Sequence, residues 1–269
     1  MNQTTSAQTP ERAIHVLLID HSDARRGLLR GMLTSPQWDV REAGTYREAV
    51  GVLDDREIGV TMQGGLVYAA FNRREHVQAV SVRPGCPLLW ALDFNVDPMS
   101  SVVAQLDGER VFVIDEIVKR HASTEEACEE FIKRFPRHDA VVVIYGDASG
   151  NSQKTSGSSD YQIVREYFRT HYAARIAYKV PKSNPSVRER VMLTNSKLRA
   201  ASGDVCLVVD ARCKEVIKDL EQVSYKAEST AIDKDKDRRR THLSDALGYL
   251  LWQECRPQAA MGEHTERLI

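Results

Sequence analysis

Apolar and polar positions alternate along this chain in a way that first suggests strands and helices taking turns. Ile14-His15-Val16-Leu17-Leu18-Ile19 is a short apolar run fit for a buried strand. Asp20-His21-Ser22-Asp23 then offers capping oxygens, and Leu28, Leu29, Met32 and Leu33 recur at helical spacing. Trp38 to Ala43 alternates as a second strand, and Thr45-Tyr46-Arg47-Glu48 fits a capping box ahead of a short helix ending near Leu53. The residues before Ile14 read as a polar, disordered tail, and the chain from 255 to 269 as a flexible one.

From Gly65 the texture changes. Leu66 to Phe71 and Val77 to Val82 read as strands leading to Pro84, followed by strands at Leu88 to Phe94, Ser101 to Gln105 and Val111 to Ile117. Asp107-Gly108 between the last two is a hairpin turn signal. A helix is expected from Ser123 to about Arg134. The continuously apolar Ala140 to Tyr145 suits a strand covered on both faces. Beyond a Gly/Ser-rich loop at 146 to 159, helices are expected at Asp160 to Tyr172, Val187 to Ala201, Cys213 to Tyr225 and His242 to about Gln253. Strands are expected at Ala174 to Val180 and Val205 to Val209. A meander of strands followed by strand–helix alternation implies an α/β domain of mixed sheet. The expected organisation is a tail at 1–13, a βαβα fragment at 14–57, a main domain at 58–254 and the tail at 255–269.

Composition narrows the function more than the fold. In the 269 residues, Lys+Arg 37 against Asp+Glu 38 leaves a formal net charge of -1, which excludes holding polyanions by bulk positive charge but not by a local basic groove. No apolar run approaches the ~18 residues that cross a bilayer, and no secretory signal is visible, so a cytoplasmic protein without a membrane role is expected. The five cysteines form no CxxC pair and the eight histidines no HExxH, so disulfide frameworks and those zinc sites are unsupported. No GxxxxGK[ST] loop occurs, which argues against ATP-driven work by this sequence.

Three acids stand out by position. Asp93 ends an apolar strand in Asp93-Phe94-Asn95-Val96-Asp97-Pro98, and strand alternation puts Asp93, Asn95 and Asp97 on one face. Asp147 leaves a fully apolar strand in Gly146-Asp147-Ala148-Ser149-Gly150, where small neighbours let a backbone or phosphate come close. Asp245 lies in Thr241-His242-Leu243-Ser244-Asp245-Ala246-Leu247-Gly248-Tyr249. There Leu243, Leu247, Leu250 and Leu251 make a buried stripe, with His242, Asp245 and Tyr249 on the opposite side. Each acid alone has a plainer use: a turn at Asp97-Pro98, a loop turn at Asp147, a solvated helix face at Asp245. Together they suit hard divalent cations, which take oxygen ligands. Two such ions can activate a water and stabilise the leaving 3′ oxygen of a phosphodiester. One acid from a first strand, one from an adjacent strand and one from a late helix is the ribonuclease H-like arrangement.

The strings LDFNVDPMSSVV, VIDEI, GDASG, YKVPKSNPSVRERV and THLSDALGY, in this order, resemble the nuclease domain of phage terminase large subunits from about Gly64 to Trp252. That resemblance implies a ribonuclease H-like mixed sheet flanked by helices. It also implies an endonuclease that cuts double-stranded viral DNA during genome packaging with two Mg²⁺ or Mn²⁺ ions. Carried over, Asp93, Asp147 and Asp245 are metal ligands, with His242 at the rim steering the scissile phosphate or a ligand water. The implied partners are double-stranded DNA, a separate packaging ATPase, the small terminase subunit and the portal. The motor's phosphate-binding loop has no counterpart in this sequence, so either another polypeptide carries it or the chain is a prophage remnant.

Residues 14 to 55 separately resemble the first two βα units of a response regulator receiver domain, with Asp20 matching an acidic residue after the first strand. The phosphoacceptor aspartate expected after a third strand is absent, since the chain runs on through Ile58-Gly59-Val60-Thr61-Met62-Gln63-Gly64-Gly65. A signalling or interaction protein is therefore the rival reading, alongside a catalytically inactive prophage remnant; another ribonuclease H-like enzyme such as a resolvase or transposase is a third. Expected DNA contacts are Lys154, Lys179, Lys182, Arg188 and Arg190. Lys234 to Arg240 is a weaker candidate, because Asp233, Asp235 and Asp237 interleave with its basic residues as in a solvated loop. Asp115-Glu116 reads as a strand end with the option of a further acid, and Tyr161, Tyr167 and Tyr178 as core or interface aromatics. No base-reading helix is visible, so little sequence preference is expected.

Overall fold

The computed structural model describes residues 14–19, 23–32, 38–43, 48, 60–63, 65–95, 97–153, 157–226, 229–235, 237 and 239–256. The expected helix near 45–53 and residues 1–13 and 257–269 lie outside these, apart from Glu48, as does Asp20. The chain divides into two compact units: residues 1–72 with 218–240, and residues 73–217 with 241–269.

In the first unit, Ile14–Ile19 (β1), Trp38–Ala43 (β2) and Val60–Gln63 (β3) form a parallel sheet in the order β2-β1-β3, with Asp23–Met32 (α1) between the first two strands in sequence. The third strand emerges from a run whose sequence carries no clear strand or helix pattern. Leu17 and Ala43 are buried together, and Arg30 reaches Glu42 at 2.9 Å. The expected strand at Leu66 to Phe71 is instead a set of turns. Phe71 N–H bonds the Tyr68 carbonyl locally, and only Leu66 makes an isolated antiparallel bridge, to Ser224.

The second unit is built on seven strands. They are Val77–Gln78 (β4), Leu88–Asp93 (β5), Met99–Asp107 (β6), Arg110–Lys119 (β7), Val142–Gly146 (β8), Ile176–Tyr178 (β9) and Leu207–Asp210 (β10), in the order β4-β10-β7-β6-β5-β8-β9. β6 is antiparallel to β5 and β7, and the other pairs are parallel, so the sheet is mixed. The turn at Gly108 follows the Asp107-Gly108 signal, with φ +57° at the glycine and Asp107 paired with Arg110. The expected strand at Val77 to Val82 shrinks to β4. Past it, backbone N–H groups find side-chain acceptors rather than a neighbouring strand: Val80 bonds Asp210 Oδ2 at 2.7 Å and Arg83 bonds Gln105 Oε1 at 2.8 Å.

Four longer helices accompany this sheet: Thr124–Arg134 (α2), Asp160–His171 (α3), Val187–Leu198 (α4) and His242–Cys255 (α5). Capping boxes start α2 at Ser123, α3 at Ser159 and α4 at Ser186, closing the otherwise unpaired first amides. Sequence parity decides what each sheet face buries. Leu88, Trp90 and Leu92 of β5, with Val142 and Ile144 of β8, pack in one core with Phe131 of α2 and Phe168 of α3. Trp90 stacks on Phe131 at 4.4 Å and donates its indole N–H to Ser101 Oγ at 2.8 Å. Leu89, Ala91 and Asp93, like Val143, Tyr145 and the residue after Gly146, take the opposite parity. α5 packs against β5, β6 and β8, and against α4 on its other side. Among the described residues no helix is long and apolar enough to cross a membrane.

Candidate metal and nuclease site

Two parallel strands and one helix deliver the three acids. Leu92 pairs with Gly146 in the β5–β8 ladder, so Asp93 and Asp147 leave neighbouring strands at the same sheet edge. α5 begins at His242, which puts Asp245 in its first turn. The close approach of the strands depends on Gly146: a Cβ there would sit 2.5 Å from the Leu92 carbonyl oxygen.

Each carboxylate is held by its own partner. Asn95 Nδ2 donates to Asp93 Oδ2 at 2.5 Å, and His242 Nδ1 lies 3.0 Å from the same oxygen and 3.0 Å from Asn95 Nδ2. Asp147 Oδ1 accepts from Asn184 Nδ2 at 2.8 Å and from the Ser149 amide at 2.6 Å. Asn184 uses its own oxygen on the Ala148 amide at 2.8 Å, clamping the loop from both sides. Tyr249 donates to Asp147 Oδ2 at 3.3 Å. Asp245 Oδ1 takes a 2.7 Å ion pair from Arg190 of α4, whose guanidinium lies over the Tyr249 ring at 4.4 Å. Arg190 and Tyr249 therefore tie the second and third acids into one assembly.

Asp93 and Asp147 titrate differently because their surroundings differ. Burial is the largest influence on Asp93 and drives its pKa above the ordinary carboxylate value; the His242 contact opposes it, while the charges of Asp245 and Asp147 push the same way as burial. Burial also acts upward on Asp147, but the Asn184 and Ser149 hydrogen bonds outweigh it and hold that carboxyl below its usual range. Tyr249 is driven up, first by burial, with Asp147, Asp245 and Asp93 all adding to the rise. Among the described residues no three His, Cys, Asp or Glu side chains, the expected trio of Asp93, Asp147 and Asp245 included, are grouped so that they could hold a metal ion. Amide and guanidinium partners occupy oxygens of all three acids.

The positions expected to meet DNA divide. Lys182 and Arg188 are exposed. Lys179 is engaged with Glu254 at 2.6 Å, and Lys154 lies outside the described residues. Arg190 is buried and turned onto Asp245, not outward as expected; the negative charge nearest to it is inside the protein. In the 234–240 tract, Arg239 and Arg240 pair with Asp237, and Arg240 also with the buried Asp219. Asp115 pairs with Arg134, and Glu116 accepts the Glu215 and Val216 amides at the start of the helix Lys214–Gln222, so neither joins the three acids. Tyr161, buried, donates to the Asp147 carbonyl at 3.0 Å.

Asn184 and Arg190 hold two of the acids, a role that their local sequence does not announce. Their only signals are a polar residue in Ser183-Asn184-Pro185 and an arginine at the start of a charged helix. Nothing in such local strings names a partner 37 or 55 residues away.

A family model described as a terminase RNaseH-like domain matches residues 90–254. Solved structures with the same fold include the large terminase from a thermophilic bacteriophage in complex with ATP-gamma-S, at TM-score 0.53 and 14% identity, over 87% of this chain and 53% of that one. Another crystal structure of that phage's large terminase gives TM-score 0.51 and 13% identity, over 87% of this chain and 60% of that one. The chain thus spans little more than half the length of these proteins. No curated protein matches it.

Proposed function

The chain belongs to the terminase RNaseH-like domain family, and on that footing we propose that it is a divalent-metal-dependent endonuclease that cuts double-stranded viral DNA during genome packaging. The observation that carries the reading is geometric: Asp93 and Asp147 leave neighbouring strands, and the helix that bears Asp245 touches both, through His242 on Asp93 and Tyr249 on Asp147. A buried carboxylate with two like-charged neighbours is relieved by a cation placed among them, and an all-oxygen donor set selects Mg²⁺ or Mn²⁺.

Asp93, Asp147 and Asp245 are the ligands in this reading, and two ions are held. When bound, such ions activate a water, neutralise the phosphodiester and stabilise the leaving 3′ oxygen. Asn95 and Asn184 aim the first two acids. Arg190 fixes Asp245 until a stronger cation competes for it. His242, against Asp93 at the rim, faces the scissile phosphate. Lys179, Lys182 and Arg188 contact the DNA backbone, and the nuclease domain runs over 58–254. A packaging ATPase motor, the small subunit and the portal are its partners in the host cytoplasm.

The test is relaxation and linearisation of supercoiled plasmid by the full chain in Mn²⁺ or Mg²⁺ against EDTA. Cutting that requires the metal and disappears in Asp93→Asn, Asp147→Asn and Asp245→Asn is expected. Undiminished cutting by those variants removes the assignment.

A further inference from the structure

Where β5 ends, on the α2 side of the sheet, lies a cavity of about 280 Å³ walled by Phe94, Asn95, Met99, His121, Ser123 and Thr124 among others. Its position follows from topology. β5 ends, β6 begins and β7 ends at this edge, because β6 runs antiparallel to both neighbours. Asn95 belongs to both places: it lines the cavity and donates to Asp93, so the cavity opens one side chain away from the first acid.

The lining is of mixed character. Phe94 and Met99 supply apolar surface; Asn95 and Ser123 supply an amide and a hydroxyl. The segment that leads into His121 is basic, and the three-acid site does not use it. Lys119 stands opposite Met99 in the β6–β7 ladder, which puts the two side chains on one face. Arg120 and His121 follow it, both exposed, with 79% of the His121 side chain open to water. Of the acidic groups here, Asp97 lies 3.6 Å from His121 and Glu126 accepts the Ser123 amide at 2.7 Å, while Glu125 is exposed.

We infer that this cavity is a nucleotide subsite for the strand being cut. The nucleotide next to the scissile phosphate enters it, while Lys119, Arg120 and His121 hold the flanking backbone phosphates. The inference rests on the nuclease reading and adds a second DNA track, on the opposite side of the acids from Lys179, Lys182 and Arg188. An aromatic wall and a few polar groups accept any base, so the subsite positions the strand without choosing its sequence.

Two measurements on the full chain test it, both in EDTA so that nothing is cut. The first is fluorescence-anisotropy titration of a short duplex across a KCl series. Each lost phosphate contact lowers the slope of log Kd against log salt by about 0.9, so the Lys119→Ala/Arg120→Ala double variant should lower it by roughly 2. The second is photocrosslinking of a duplex substituted throughout with 5-iododeoxyuridine, which should label the peptide holding 94–99 or 119–124 in the unaltered chain. An unchanged slope, or crosslinks confined to other peptides, overturns the subsite. The nuclease reading is judged separately by Asp93→Asn, which should bind the duplex and fail to cut plasmid. Plasmid cutting by that variant sinks the nuclease reading, whereas a failed slope or crosslink alone sinks only the subsite.

Discussion

Arg190 Nη1 lies 2.7 Å from Asp245 Oδ1, with the two side chains 7% and 13% exposed. A pair this withdrawn from water is a liability if one member goes, because the other is left charged in a poor solvent. Arg190→Ala should therefore cost about 3–5 kcal/mol in urea unfolding. Arg190→Lys should recover part of that, having the charge without the planar fork. A loss under about 1 kcal/mol for the alanine variant would show that Asp245 is not held this way.

Asn184 makes its two bonds across the loop that carries Asp147, one to the carboxylate and one to the Ala148 amide. Asn184→Ala should cost about 0.5–1.5 kcal/mol, since Asn184 is exposed and water can take the place of its bonds. It should also raise the Mn²⁺ concentration needed for half-maximal plasmid cutting, because an Asp147 free to rotate is a weaker ligand. Cutting with an unchanged metal requirement would mean that Ser149 and Tyr249 suffice.

How much of this can be read from the chain alone varies with how local each signal is. β5 and β8 are legible as apolar runs ending in aspartate, and their alternation already places Asp93 on a polar-ended face. The amphipathic reading of the last helix is incomplete. Leu243, Leu247, Leu250 and Leu251 are buried as expected, but so are Ser244, Ala246, Gly248 and Tyr249, because the helix lies between the sheet and α4. A buried arginine looks the same in sequence as one that meets DNA. Its inward turn depends on Gly248, where an added Cβ would come within 3.2 Å of Arg190 Cβ. Likewise β3 is hidden because Val60 to Gln63 is short and followed by glycines, with only its pairing to β1 defining it.

Stability should show what the acids cost the fold. Burial raises the folded-state pKa of Asp93, so the fold favours its protonated form. With a raised pKa, no penalty exists below the unfolded carboxylate value, where both states are protonated. The penalty grows as pH rises through the folded value. Asp93→Asn should therefore melt above the parent chain at pH 7 without metal, with the gap closing as pH falls below about 4. Differential scanning fluorimetry over that range reads it, and a variant less stable than the parent at pH 7 would reverse the sign argued here.

The most direct measurement is anomalous diffraction from crystals of the full chain soaked in Mn²⁺. Density among Asp93, Asp147 and Asp245, within about 2.5 Å of their carboxylate oxygens, is expected, with Arg190 displaced from Asp245. Manganese bound only elsewhere, or absent from this sheet edge while Arg190 keeps its ion pair, would contradict the account.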